Sequence, residues 1–136
     1  MKLKSPYDLF GTDQNLEKDG IVIDYGDFSL KIARSGGGNV NYKRLAAAKL
    51  KPYAHQLQTG TLDDDRARDL MLEIFVDSVL LDWKGVVDEK GKALKYTREN
   101  AIKLFKDLPD LYADITEQAN KTSNFRREIV EETIKN

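Results

Sequence analysis

The sequence predicts a mainly α fold: a compact helical bundle with a small N-terminal β-hairpin. Two patterns predict it: apolar residues at helical spacing over about residues 63–83 and in flanking stretches, and two short alternating runs near the N-terminus. At 136 residues the chain has the length of one domain. We divide it into a polar N-terminal segment plus hairpin at residues 1–35, packed on the same domain, and a helical domain at residues 36–136.

The hairpin prediction depends on apolar residues at every second position. Residues 21–25 and 28–32 both show this alternation, and Gly26 and Asp27 separate them. Two such runs joined by a tight turn are typical of a β-hairpin. Residues 35–39, Ser-Gly-Gly-Gly-Asn, follow without the Lys-Ser/Thr pair of a phosphate-binding loop. We therefore predict a flexible hinge there.

Two long helical patterns follow the glycine run. The first covers about residues 42–57, and Pro52 must kink or split it because proline lacks an N–H donor. The second, at about residues 63–83, is apolar on more than one face, so we predict that it is the buried core helix.

The remaining helix ends are indicated by capping residues. After a turn or short hairpin at residues 84–96, Thr97 is a predicted N-cap. Asp107 is predicted to cap a further helix, with Pro109 in its first turn. Residues 125–134 form a last amphipathic stripe.

The residue types exclude most common kinds of chemistry. There is no cysteine and only one histidine, His55, so the chain has no disulfide, no thiolate nucleophile and no two-histidine metal site. The consecutive carboxylates Asp63, Asp64 and Asp65 point about 100° apart on a helix, which favours a helix N-terminus over a cation site. We therefore predict no catalytic, cofactor-binding or metal-binding residue.

Charge and hydropathy also limit the partners. The 22 basic and 23 acidic residues nearly balance, which argues against a nucleic-acid binder. No apolar run approaches the ~20 residues that cross a bilayer. A protein partner is therefore expected, without nucleic acid and without membrane.

Aromatic and apolar residues are the candidates for that contact. The stripe at residues 125–134 suits docking onto the chain's own core or onto a partner, and it leaves homo-oligomerisation open. The candidate partner-binding residues are Tyr42, Tyr53, Trp83, Phe125, Ile129, Val130 and Ile134.

One ordered series of residues carries a family resemblance. The series is Trp83-Lys84-Gly85-Val86, Asp88, Gly91-Lys92, Leu94, Tyr96-Thr97, Glu99-Asn100-Ala101, Leu104, Asp107-Leu108-Pro109-Asp110-Leu111, Ile115 and Ala119. Over about residues 40–130 the chain resembles the tail assembly chaperones of long-tailed, lambda-type bacteriophages. These proteins are encoded between the tail tube and tape measure genes.

The resemblance implies a protein that is not an enzyme. It would bind the tape measure protein, keep it soluble and recruit tail tube (major tail) subunits. It would act in the host bacterial cytoplasm and be absent from the mature virion. The family commonly makes a longer product by ribosomal frameshifting, which a protein sequence does not show.

Three other functions stay open. The first is a structural phage or prophage tail or head–tail component that is retained in the particle. The second is a small enzyme or regulator that uses carboxylates alone, and the third is a helical nucleic-acid-binding regulator.

Overall fold

The computed structural model describes residues 3–125. Its α-helices are α1 (Pro6–Phe10), α2 (Gln14–Asp19), α3 (Val40–Leu50), α4 (Ala54–Thr59), α5 (Asp64–Ser78), α6 (Arg98–Asp107) and α7 (Pro109–Asn120). Its strands are β1 (Ile21–Asp24), β2 (Ser29–Ile32) and β3 (Leu80–Lys84). Short 3-10 helices cover Lys51–Tyr53 and Thr122–Phe125. No helix in this part of the chain has both the length and the apolar character needed to span a membrane.

The predicted helical bundle with an N-terminal hairpin is wrong. β1 and β2 do pair antiparallel, with Ile21 opposite Ile32 and Asp24 opposite Ser29. However, β3 pairs antiparallel with the other edge of β2, so the strands form a three-stranded sheet in the order β1-β2-β3. The fold is therefore an antiparallel sheet covered by helices.

The error lies at the end of the predicted core helix. That helix was placed at residues 63–83, whereas α5 ends at Ser78 and the chain enters β3 at Leu80. In β3, Asp82 is opposite Lys31 but Leu80 is opposite Ile32, so Leu81 is an extra, bulged residue.

This bulge explains why the sequence resembles a helix. Leu80 and Trp83 are 3% and 6% exposed, so both face the core although they are three residues apart. In a regular strand, residues three apart face opposite sides of the sheet. The bulge restores them to one side, and the resulting i, i+3 spacing of buried residues is also that of a helix.

The core lies between the sheet and the helices. Phe75 of α5 packs edge-on against Phe105 of α6 and Tyr112 of α7, with ring centroids 5.8 and 5.6 Å apart. The buried residues around them come from every layer: Leu30, Ile32, Leu72, Val76, Val79, Leu80, Trp83, Val86, Ala101, Ile115 and Ala119. Full burial of a large apolar side chain stabilises the fold by about 1.5–3 kcal/mol.

The helix boundaries predicted at Pro52 and Thr97 are confirmed, whereas the cap predicted at Asp107 is wrong. α3 ends at Leu50, and Pro52 lies in the following 3-10 helix, so the proline does split the pattern. The Thr97 hydroxyl accepts a 3.1 Å hydrogen bond from the Asn100 N–H. Asp107 is not a cap: it ends α6 and pairs with Lys103 at 2.6 Å.

Residues 35–39 form a packed turn rather than the predicted flexible hinge. They enclose the Glu17 carboxylate, which is 2% exposed and accepts a hydrogen bond from the Gly38 N–H. Arg34 approaches the same carboxylate at 3.4 Å. Buried Asn39 donates to the carbonyl oxygens of Arg34 (2.9 Å) and Ser78 (3.1 Å). Through these contacts the turn holds α2 against the start of α3.

The protonation of Glu17 follows from these contacts. Burial raises the pKa of its carboxyl, but hydrogen bonds from Thr12 and Gly38 and the charge of Arg34 together outweigh burial. The pKa of Glu17 therefore lies below its ordinary value of 4.5.

Replacing Glu17 by Gln tests this turn. We expect Glu17→Gln to lower the free energy of unfolding by about 1–3 kcal/mol at neutral pH, because charge-assisted hydrogen bonds are lost. Since the folded pKa is lowered, the contribution of Glu17 is complete above the unfolded pKa and is lost as pH falls through the folded pKa. The difference from wild type should therefore shrink in acid.

Chemical denaturation over a range of pH measures this difference. Glu89→Gln, at an exposed carboxylate, is the control and should change stability little at any pH. A Glu17→Gln effect that is absent, or that stays constant on acidification, would contradict the assignment.

Gly85 offers a test of the third strand. It follows β3 at φ +74°, and a Cβ there would lie 2.7 Å from the backbone oxygen of Asp27, in the turn between β1 and β2. Gly91 has a similar φ of +81° but open space around it. Gly91→Ala should therefore cost only the left-handed strain of about 1–2 kcal/mol, and Gly85→Ala distinctly more. Equal losses in thermal unfolding would count against this packing.

Candidate functional site

An open groove lies between α6 and the segment of residues 86–94. Its volume is about 340 Å³. The lining residues are Val87, Asp88, Glu89, Leu94, Asn100, Lys103, Leu104, Asp107 and Leu108. Val87 and Leu108 are 51% and 48% exposed, so large apolar side chains face solvent here. The groove therefore has apolar surface within a charged rim.

The first wall is a short hairpin, which confirms the turn predicted at residues 84–96. Val87 and Ala93 form a β-bridge, and the Leu94 N–H donates to the Val86 carbonyl oxygen at 2.9 Å. The Asp88 carboxylate accepts 2.9 Å hydrogen bonds from the N–H groups of Lys90 and Lys92. These contacts fix the position of Val87.

Trp83 supports this wall from inside the protein. Its indole N–H donates to the Leu94 carbonyl oxygen at 2.9 Å. The ring of Tyr96 meets Trp83 edge-on at 5.2 Å, and the Tyr96 hydroxyl donates to the Leu80 carbonyl oxygen at 3.0 Å. Trp83 thus joins the hairpin to β3; it is buried and does not line the groove.

The second wall is α6 with the residue that follows it. Asn100 donates to the Lys95 carbonyl oxygen at 2.8 Å and so holds the first turn of α6 near the hairpin. Leu104 is half-buried between the walls. Lys103 and Asp107 form an exposed ion pair on the rim. A hydrogen bond from Lys103 to Asp107, with the charge of that carboxylate, raises the pKa of Lys103.

The other predicted partner-binding residues lie elsewhere. Tyr42 is half-buried and packs against the core. The half-buried Tyr53 accepts hydrogen bonds of 3.0 and 2.7 Å from the Arg66 guanidinium. Phe125 is fully buried, so a partner cannot reach its side chain in this conformation. Since Trp83 is buried too, the described candidates do not form one exposed surface.

The predictions at Ile129, Val130 and Ile134 lie outside the described residues. The groove itself was not predicted from the sequence. Its one available signal was the apolar pair Leu104 and Leu108, which are one helical turn apart next to a short hairpin.

The aspartates and the histidine that were considered for metal or catalytic roles lie outside the groove. Asp63 is the N-cap of α5 and accepts a 3.1 Å hydrogen bond from the Arg66 N–H. This confirms that the acidic run marks a helix N-terminus. His55 is exposed on α4. Within residues 3–125, no group of three or more His, Cys, Asp or Glu side chains could hold a metal ion.

Comparison with known proteins supplies the family. The profile of the YdaY prophage protein family matches residues 37–136. The chain belongs to this family. It is therefore a prophage protein, and the predicted phage context is supported.

Curated relatives match the YdaY-family chain only in part. It is 36% identical over 85 residues to the aliphatic sulfonates import ATP-binding protein SsuB 3 of Pseudomonas syringae pv. tomato, covering 62% of the chain and 32% of the relative. It is 37% identical over 73 residues to the corresponding SsuB of Escherichia coli O6:K15:H31, covering 54% and 29%. The chain spans about a third of these proteins.

The glycine run of this chain is not a phosphate-binding loop. The glycine run at residues 36–38 lacks the Lys-Ser/Thr pair of such a loop, and Gly38 instead contacts Glu17. No solved structure matches the chain.

Replacing Trp83 by Phe tests how the first wall is held. Trp83→Phe removes the donor to Leu94 and should lower the free energy of unfolding by about 1–3 kcal/mol, since a partly buried carbonyl loses its partner. Amide hydrogen exchange at Asp88 and Leu94 should rise more than exchange in α7. Unchanged protection of the hairpin amides would show that Trp83 does not anchor this wall.

Proposed function

We propose that this YdaY-family protein is a tail assembly chaperone, which binds the tape measure protein of its phage, keeps it soluble and recruits tail tube subunits. The observation that carries the proposal is the open groove. Six of its lining residues are also among those that carry the resemblance to tail assembly chaperones: Asp88, Leu94, Asn100, Leu104, Asp107 and Leu108. The residues that carry the resemblance therefore form part of an exposed surface, in addition to core positions and helix ends.

The chemistry of the groove indicates the kind of segment it takes. The apolar residues that line the groove are Val87, Leu94, Leu104 and Leu108. An amphipathic helix with apolar residues at i, i+3 or i+4, and i+7 is the usual occupant of such a groove. A tape measure protein is long and helical, so it supplies many segments of this kind.

The rim favours a basic edge on that helix. The lining contains three carboxylates, Asp88, Glu89 and Asp107, and one lysine, Lys103, which is already paired with Asp107. Like charges across an interface repel, so a helix flanked by Lys or Arg is preferred over one flanked by Asp or Glu.

The proposal includes three further expectations. The protein is not an enzyme, it acts in the host bacterial cytoplasm, and it is absent from the mature virion. The rival is a structural tail or head–tail component, whose groove would hold a neighbouring subunit of the particle.

Co-expression with the tape measure protein of the same prophage is the direct test. We expect this chain to raise the soluble fraction of the tape measure protein and to be captured with it. The double variant Val87→Asp with Leu108→Asp should reduce capture at least about tenfold, because it places charge in the apolar groove. Both positions are about half exposed, so the fold should survive.

The matched control is Val22→Asp with Leu57→Asp. These apolar residues are 62% and 45% exposed but lie outside the groove, so capture should be unchanged. Equal loss in both double variants would refute the groove as the binding site. Detection of the chain in purified particles by mass spectrometry would refute the chaperone function and favour the structural component.

A further inference from the structure

The outward face of α3 is a basic stripe. No residue of α3 is buried, and its exposed positions include Val40, Lys43, Arg44, Ala47 and Ala48, with Lys51 just beyond its end. The residues next to α3 in the sequence, 28–62, contain no Asp or Glu. In space, Asp19 lines the same pocket as Val40 and Arg44, but Lys18 lies there too, so the stripe keeps a net positive charge.

The charges of this stripe are not neutralised within the described part of the chain. Lys49, on the inward side of α3, pairs with Glu73 at 3.0 Å and Asp77 at 3.8 Å of α5. By contrast, Lys43, Arg44 and Lys51 form no ion pair with any residue between positions 3 and 125. Three cations of the stripe are thus without an ion-pair partner among residues 3–125.

α7 carries the opposite stripe. Asp110, Ala113, Asp114 and Glu117 are all exposed and follow i, i+3, i+4, i+7 spacing, so they share one face. The helix contains no Lys or Arg. Asp114 accepts a 2.6 Å hydrogen bond from the Tyr25 hydroxyl, whereas Asp110 and Glu117 have no ion-pair partner among the described residues.

The two stripes match in length and in shape. Arg44 and Lys51 are seven residues apart, as are Asp110 and Glu117, and seven residues of helix extend about 10.5 Å. Alanines occupy the centre of both stripes, and small residues allow helix axes to approach to about 8 Å. We infer that the α3 stripe docks on the α7 stripe of a second copy of this chain.

The geometry of this contact determines its stoichiometry, affinity and salt dependence. Because the stripes are two different surfaces, the contact can form twice in a two-fold dimer or once per copy in an open chain. One pair of short helices buries less area than a stable complex needs, so a dissociation constant on the order of 0.1 mM is expected. Salt should weaken it, since the charges are exposed. None of this depends on the proposed chaperone function.

A charge swap tests the inference on the full chain. One double variant, Arg44→Glu with Lys51→Glu, makes the basic α3 stripe acidic. The other, Asp110→Lys with Glu117→Lys, makes the acidic α7 stripe basic. Sedimentation velocity over a range of concentrations should show association of the wild type that disappears at high salt. Each double variant alone should self-associate at least about tenfold more weakly than the wild type, because like charges then face each other.

Recombining the variants makes the test specific. An equimolar mixture of the two double variants should associate again, and so should the fourfold variant, which keeps the wild-type net charge. Lys31→Glu with Glu99→Lys, at exposed positions outside both stripes, should leave association unchanged. Circular dichroism checks that every variant is folded.

Three results would overturn the inference. The first is a wild type that stays monomeric at every concentration and ionic strength. The second is a fourfold variant that does not regain association. The third is binding of a labelled DNA duplex that needs Arg44 and Lys51 while self-association is absent, which would make the α3 stripe a nucleic-acid site.

Discussion

The helix-to-strand junction at the end of α5 is the constraint on which the rest of the structure depends. The Val79 carbonyl oxygen accepts a 2.8 Å hydrogen bond from the Ala33 N–H, directly after β2. The Asn39 side chain donates to the Ser78 carbonyl oxygen at the same place. These contacts end the core helix beside β2, so the next residues can only continue as its neighbouring strand. The sheet, the position of Trp83 and hence the groove wall all follow from this junction.

The same junction explains why a small sheet is stable here. A two-stranded hairpin alone is marginal in water, and β1 with β2 would be such a hairpin. With β3 added, Leu30 and Ile32 of β2 become fully buried against α5 and its neighbours. The bulge at Leu81 then lets Leu80 and Trp83 contribute to the same core. The sheet is therefore held by its packing on the helices as much as by its own hydrogen bonds.

Local sequence signals correctly predicted the features that depend on neighbouring residues only. Alternation predicted the pairing of β1 with β2, Pro52 predicted the split between α3 and α4, and Thr97 predicted the start of α6. The third strand could not be predicted in this way, because the bulge gives β3 the spacing of a helix. The turn around Glu17 was also missed, since a glycine run indicates flexibility until a buried carboxylate is known to lie inside it. The groove needs residues 86–94 and α6 side by side, which is tertiary information.

Two kinds of exposed surface thus lie within residues 3–125, and contacts on them respond differently to salt. Contacts at Val87 and Leu108 depend on removing apolar area from water, a contribution that salt weakens little. Contacts of the α3 and α7 stripes depend on exposed charges, which are screened beyond about 10 Å at 0.1 M ionic strength. Under the two proposals, the chain can therefore lose the contact between its own copies without losing its long helical partner. Changes of ionic strength separate the two in a single sample.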